Sequence, residues 1–189
     1  SPKTVALVVL PMFHIGGLNG SVTPMIHVGA TVLLPPRFDV VETLEVIERE
    51  KVSGMVTVPA VYQMMYDHPR FATTNFSSVE AFISGGAPLP LDLIRKYHER
   101  GLEFRQGYGL TETAPVSHVN DPEGEIRDGS IGRPVADTES RIMDLENGTR
   151  ELPAGEAGEI VIRGPQVMQG YWNKPEETAL VLRNGWLYT

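Results

Sequence analysis

The sequence predicts an α/β protein: a mostly parallel sheet with helices on both faces, followed by part of a small antiparallel β-barrel-like subdomain. Three observations carry this expectation. Apolar runs of strand length alternate with helical patterns from the N-terminus to residue 106, and such alternation builds a parallel sheet covered on both sides. The strands run into conspicuous loops, most of them rich in glycine or proline: Pro11-Met12-Phe13-His14, Pro59-Ala60, Ser84-Gly85-Gly86-Ala87-Pro88 and Gly107-Tyr108-Gly109. After Pro115 the helical patterns give way to short strands with tight turns, as antiparallel pairing requires.

Residues 5–10 form a continuous apolar run, as expected of a strand buried on both faces. Residues 16–28 can form a mostly buried helix, and 31–34 the next strand. Residues 39–51 are the clearest helix: Asp39 can cap it, Glu42 follows at capping-box spacing, and Val40, Leu44 and Ile47 share one face. Residues 54–58 return as a strand, 61–66 as a short helix and 79–83 as a strand. A helix over 90–100 has Pro90 in its first turn and Gly101 at its end, and 102–106 is the strand that follows. Residues 121–129 read as a polar loop. Beyond it, 139–143 and 158–163 read as strands, with a turn at Glu146-Asn147-Gly148. A boundary near residue 120 divides the chain into an α/β subdomain, 1–120, and an incomplete β-rich subdomain, 121–189.

Composition narrows the function. A chain of 189 residues with 41% hydrophobic residues can bury a real core. The formal net charge of −8 argues against nucleic acid as a partner, because phosphate backbones are bound mainly through Lys and Arg. An anionic substrate would need a local site or a metal ion rather than a favourable overall field. There is no cysteine, hence no disulfide framework, thiolate metal site or cysteine nucleophile, and a cytoplasmic protein is expected. No segment reaches the ~18 apolar residues of a membrane span. The sequence starts at Ser1-Pro2-Lys3-Thr4 and stops at Asn184-Gly185-Trp186-Leu187-Tyr188-Thr189, inside an ordered-looking segment. Both ends read as cuts in a longer protein.

In open parallel sheets, ligands bind in the crevice outside the strand C-termini, where the four loops converge. The most specific stretch there is Gln106-Gly107-Tyr108-Gly109-Leu110-Thr111-Glu112-Thr113. Its glycines let the backbone approach a ligand closely. Tyr108 offers an aromatic face, Thr111 and Thr113 offer hydroxyls, and Glu112 offers a hard carboxylate oxygen. A hydroxyl and a carboxylate beside a glycine turn suit a magnesium–phosphate complex. The same residues read equally well as a plain strand–turn–helix with Thr111 as a cap. Neither G-x-G-x-x-G nor a P-loop is present, which disfavours a dinucleotide-dependent oxidoreductase.

The octet closely resembles the signature of the adenylate-forming, AMP-binding superfamily, which includes acyl-CoA synthetases, aryl-CoA ligases, firefly luciferase and peptide-synthetase adenylation domains. Further matches follow in order: Pro11-Met12-Phe13-His14 with Gly16-Gly17 resembles the acyl-pocket motif, and Ser84-Gly85-Gly86-Ala87-Pro88 the adenine loop. Ile131-Gly132-Arg133-Pro134 resembles a conserved turn, and Gly158-Glu159-Ile160 through Gly164-Pro165 with Gly170-Tyr171-Trp172 the next signature. The resemblance spans nearly the whole chain and identifies it as an internal part of the large N-terminal domain of such an enzyme.

The resemblance implies a fatty-acid or aryl-acid CoA ligase that uses ATP, Mg²⁺ and coenzyme A, forms an acyl-adenylate, then an acyl-CoA thioester, and releases AMP and pyrophosphate. An adenylation domain or acyl-AMP ligase that loads a carrier protein, and a non-catalytic nucleotide-binding relative, are the alternatives. By resemblance, Gly85, Gly86, Ala87 and Pro88 line the adenine with Gln106, Gly107 and Gly109, and Tyr108 stacks on its ring. Thr111 bonds the α-phosphate, Glu112 holds Mg²⁺, and His14 sits beside the reacting carboxylate at the mouth of the thiol tunnel. His14, Gly17, Val58, Gly107 and Val116 line an acyl pocket. No charged residue is obvious among them, so a fatty or aryl acid fits better than an amino acid, whose ammonium would want a buried carboxylate. The family's phosphate loop, ribose-binding aspartate and C-terminal domain with its lysine have no counterpart here. The 189-residue chain alone is therefore expected to make no adenylate. The other partners are the missing N- and C-terminal parts of the enzyme, and a homodimer is compatible with the sequence.

Overall fold

The computed structural model of the protein describes residues 1–121, 124 and 126–189. Three positions of the predicted polar loop, 122, 123 and 125, lie outside the described residues. The chain forms a seven-stranded sheet and a separate four-stranded sheet. The strands are β1 (Val5–Leu7), β2 (Thr31–Leu33), β3 (Gly54–Thr57), β4 (Ala81–Ser84), β5 (Phe104–Gly109), β6 (Val116–Val119) and β7 (Arg133–Pro134), in the order β2-β1-β3-β4-β5-β6-β7. The pairings from β2 through β5 are parallel, whereas β5–β6 and β6–β7 are antiparallel. The sheet is thus mostly parallel, with an antiparallel edge that draws its last strand from beyond residue 120.

One face of this sheet carries the core. Leu7, Met55, Phe82 and Phe104 lie side by side across β1, β3, β4 and β5 in register, and all four are buried. They pack against α3 (Val40–Arg49), α4 (Pro59–Asp67) and α5 (Leu91–His98), which contribute Leu44, Ile47, Tyr62, Met65, Leu93 and Tyr97 to the same cluster. Tyr62 meets Phe104 and Tyr97 edge-on, with ring centroids 4.6 and 5.7 Å apart. Such tilted aromatic pairs add to area burial. The buried phenols are also satisfied: Tyr97 Oη donates to the Tyr62 carbonyl at 2.8 Å, and Tyr62 Oη reaches the carbonyls of Met55 (2.8 Å) and Ile83 (3.0 Å). Tyr62 therefore ties α4 to β3 and β4 as well as filling the core.

The opposite face is covered by one helical run, α1 (Ile15–Gly17), a π-turn (Leu18–Val22) and α2 (Thr23–His27). The Thr23 N–H donates to the Leu18 carbonyl, five residues back. Widening of this kind precedes Pro24, which has no N–H and would crowd an α-helical turn. The predicted helix over 16–28 is thus present but is not uniformly α-helical.

The helix over 39–51 forms over Val40–Arg49, and Asp39 Oδ1 accepts the Glu42 N–H at 2.8 Å as the spacing predicts. α4 starts earlier than the apolar pattern, at Pro59, because proline's fixed φ and missing N–H suit a first helical position. The strand predicted to end at Gln106 continues as β5 through Gly109, since antiparallel pairing to β6 supplies partners for a stretch with few side chains. Asn120 secures this junction: its Oδ1 accepts the Gln106 N–H, and its own N–H returns to the Gln106 carbonyl at 3.0 Å.

The four-stranded sheet contains β8 (Glu139–Met143), β9 (Glu159–Arg163), β10 (Leu182–Arg183) and β11 (Trp186–Tyr188) in the order β10-β11-β9-β8, all antiparallel. It is an open sheet rather than a closed barrel. α6 (Pro175–Val181) leads into β10. The turn predicted at Glu146-Asn147-Gly148 is organised by Asp144, whose carboxylate accepts the N–H groups of Glu146, Asn147, Thr149 and Arg150. Those donors stabilise the anion and hold the carboxyl down at about 2.

Candidate functional site

Parallel pairing of β3, β4 and β5 brings their C-terminal ends together, with Thr57 beside Ser84 and Ser84 beside Gln106. The loops that follow therefore share one edge. A β-carbon on Gly85 would come within 3.2 Å of the Gly107 carbonyl oxygen, so the two glycine loops nearly touch. Beneath this edge lies a cavity of about 400 Å³, within the range of small-molecule sites. It occupies the sheet face opposite the aromatic core, with Val56 and Ile83 on its floor and the Phe13–Gly16 segment, Gly20 and Pro115 around it.

Of the residues singled out by sequence, His14, Val58, Gly85, Gly86, Gly107, Tyr108, Gly109 and Val116 all line this cavity. Among the described residues no Asp, Glu, Lys or Arg does so. His14 Nδ1 accepts the Gly16 N–H at 3.0 Å, which places the proton of the neutral ring on Nε2. Phe13, at the rim, is 94% exposed.

Other predicted site residues lie elsewhere. Gly17 is buried behind the cavity: a β-carbon there would fall 2.3 Å from the Pro11 carbonyl oxygen, and Gly16 and Gly20 face the space instead. Ala87 and Pro88 are exposed beyond the cavity. Gln106 is buried, and its side-chain amide donates to the Ser130 carbonyl at 3.3 Å, away from the loops.

Past Gly109 the chain makes a single 3₁₀ turn, Thr111–Thr113, with Thr111 exposed and Glu112 half-buried. Thr113 is turned inward. Its hydroxyl accepts the Leu110 N–H at 2.9 Å and lies 2.9 Å from the Pro115 carbonyl, so it closes the turn and leaves Thr111 as the available hydroxyl. Glu112 Oε1 accepts the Tyr171 phenol O–H at 2.7 Å, and its carbonyl accepts the Met168 N–H at 2.9 Å.

His118 sits opposite Tyr108 in the β5–β6 pair, with ring centroids 5.9 Å apart. It is buried between two hydroxyls, with Nδ1 3.0 Å from Ser117 Oγ and Nε2 3.0 Å from Ser140 Oγ on β8. It thereby links the two sheets directly behind Tyr108. Burial pushes its imidazole below the ordinary value, whereas the unfolded ring titrates near about 6.5. Neutral His118 thus supports stability that is complete above that pH. The support is lost as pH falls through the lowered folded value, because the unfolded chain takes up the proton first. Thermal midpoints followed from about pH 8 to about pH 5 are expected to fall more steeply for the natural protein than for His118→Gln. Equal slopes would show that this ring contributes nothing to the acid sensitivity.

A family model described as "AMP-binding enzyme" matches residues 1–172. The chain belongs to the AMP-binding enzyme family. It is 41% identical over 182 residues to the long-chain-fatty-acid–CoA ligase of Bacillus subtilis strain 168, covering 96% of this chain and 32% of that protein. It is 42% identical over 185 residues to the feruloyl-CoA synthase of an Amycolatopsis species, covering 97% of this chain and 37% of that protein. Among solved structures, ATP-bound MatB from Rhodopseudomonas palustris superposes with a TM-score of 0.93 at 30% identity, over 100% of this chain and 37% of that one. The chain therefore spans about a third of the length of the relatives it matches. The chain shares the fold of MatB, and the two relatives are by name a long-chain-fatty-acid–CoA ligase and a feruloyl-CoA synthase.

Thr111 and Glu112 set one hydroxyl and one carboxylate side by side on the 3₁₀ turn. Among the described residues no group of three or more His, Cys, Asp or Glu side chains could hold a metal on its own. One carboxylate beside an exposed hydroxyl fits an ion that takes its remaining ligands from phosphate and water, as Mg²⁺ does in nucleotide sites.

Proposed function

We propose that the chain is the nucleotide- and acid-holding third of an ATP-dependent, AMP-forming carboxylic acid–CoA ligase of the cytoplasm, acting on an apolar acid, with medium- or long-chain fatty acids preferred. One observation carries this reading: the apolar cavity, whose described lining holds no Asp, Glu, Lys or Arg, is bordered by Gly85, Gly86 and Tyr108 of the two glycine loops. An acid whose tail fills the cavity would present its carboxylate where a nucleotide held by those loops presents its α-phosphate.

The chemistry then follows from position. The carboxylate oxygen attacks the α-phosphorus, the bond to the bridging oxygen breaks, and pyrophosphate leaves. The thiolate of coenzyme A next attacks the acyl carbon, and AMP departs. The substrate carboxylate is already the nucleophile, so the protein contributes placement and charge stabilisation. Gly85, Gly86 and Ala87 would face the adenine through their backbone, and Tyr108 would stack on its ring. Thr111 would donate to the α-phosphate, and His14 Nε2–H would lie against the reacting carboxylate. Glu112 would hold Mg²⁺, which when bound supplies positive charge against the phosphates.

The test is an acid panel assayed for AMP release by the intact ligase, with and without coenzyme A. Medium- and long-chain fatty acids are expected to give the highest kcat/KM, with AMP release dependent on coenzyme A. Preference for an amino acid or a dicarboxylate would overturn the assignment of the cavity. AMP release that coenzyme A does not stimulate, with the adenylate still formed, would point to a carrier protein as acceptor instead.

A further inference from the structure

We propose that Tyr171 is a positioning residue for Glu112: its phenol occupies one carboxylate oxygen and leaves the other for the phosphate-bound metal ion. This rests on the reading of Glu112 as the magnesium carboxylate. The contact joins residues 59 apart in sequence, with Tyr171 Oη 2.7 Å from Glu112 Oε1. The same segment also holds the Glu112 backbone, through the Met168 N–H at 2.9 Å.

Tyr171 is itself fixed. Its N–H donates to Thr178 Oγ1 at 2.9 Å, and that hydroxyl donates onward to the Lys174 carbonyl at 2.7 Å. Gly170 makes the approach, with φ +147 and a would-be β-carbon only 2.8 Å from Thr178 Cγ2. A side chain at that position would push Tyr171 away from the turn.

A phenol is a well-suited donor here. A lysine or arginine would neutralise the carboxylate and compete with the metal ion, whereas a neutral O–H orients the carboxylate and leaves its charge intact. Carboxylates that bind metal ions are commonly held by such partners, and loss of a partner costs roughly 10–100-fold in metal affinity or activity.

The test uses the intact ligase without acid, so that no turnover occurs, and calorimetry of ATP binding in EDTA and at saturating Mg²⁺. Tyr171→Phe keeps the ring and removes the hydroxyl. It is expected to bind ATP in EDTA as the natural enzyme does, and at least about 10-fold more weakly than that enzyme in Mg²⁺. Thr178→Val, which frees the Tyr171 N–H, should shift the Mg²⁺ value in the same direction. Equal losses with and without Mg²⁺ would mean that Tyr171 serves only the fold, and the inference falls. So does an unchanged Mg²⁺ value. Glu112→Gln, measured alongside, separates the two levels. If it abolishes the strengthening by Mg²⁺ while Tyr171→Phe does not alter it, only the role of Tyr171 is wrong. If Glu112→Gln keeps the strengthening, the magnesium role of Glu112 is what fails.

Discussion

Glu112→Gln in the intact ligase is expected to lower acid-dependent ATP–pyrophosphate exchange by about 10²–10³-fold, the loss typical of removing one group that stabilises transition-state charge. At about 1.4 kcal/mol per factor of ten, that corresponds to roughly 3–4 kcal/mol. The substitution is nearly isosteric, and the amide oxygen can still accept the Tyr171 hydroxyl, so the Thr111–Thr113 turn should survive. What disappears is the negative charge, and with it the reason for an oxygen-seeking cation to sit there. The loss should lie mainly in kcat at saturating ATP, with the acid's KM little moved, because the cavity that would take the acyl group does not include Glu112. Exchange within a few-fold of the natural enzyme would remove Glu112 from the phosphate site.

Gly109→Ala is expected to damage both stability and nucleotide binding. A β-carbon at Gly109 would fall 1.7 Å from the Pro115 carbonyl oxygen and 2.9 Å from Val116 Cα. These are backbone atoms, so no rotamer change can make room. The β5–β6 ladder would have to open at the irregularity between Tyr108 and Gly109. Overpacking that side chains can absorb costs about 1–3 kcal/mol, and a clash with backbone should reach at least the top of that range. A loss of about 3 kcal/mol lowers the thermal midpoint of a chain this size by about 6–12 °C. Tyr108 and Thr111 flank the displaced residue, so ATP affinity should fall together with the thermal midpoint. A variant that keeps both would show that β5 and β6 are farther apart here than the structure places them.

Much of the fold can be read from local signals. The apolar runs became β1 and β3, and the Asp39–Glu42 spacing became a real cap. What could not be read depends on partners distant in sequence. Gly107 and Gly109 have no side chain to signal a strand, and pairing with β6 is what extends β5 through them. Val116–Val119 is too short to stand out after a proline, and Arg133–Pro134 is a strand only by pairing with it. In the candidate site, the loops were legible because glycine and proline mark them. The faces of the Gly16-Gly17 pair were not, since what shuts Gly17 in is the backbone of Leu10 and Pro11, whose path no local signal gives. His118 bears no spacing signal because its partner Ser140 lies across a sheet boundary. Tyr171 stood within a recognisable segment, yet nothing local pointed it at a carboxylate.

The tether between Tyr171 and Glu112 bears on how the protein is made. A ribosome adds about 5–20 residues per second, so a phenol 59 positions downstream is synthesised roughly 3–12 s after the carboxylate it will hold. Through that interval the nascent turn at residues 111–113 lacks its distal anchor. Any shortened version of the protein that stops before residue 171 would leave that turn without this anchor.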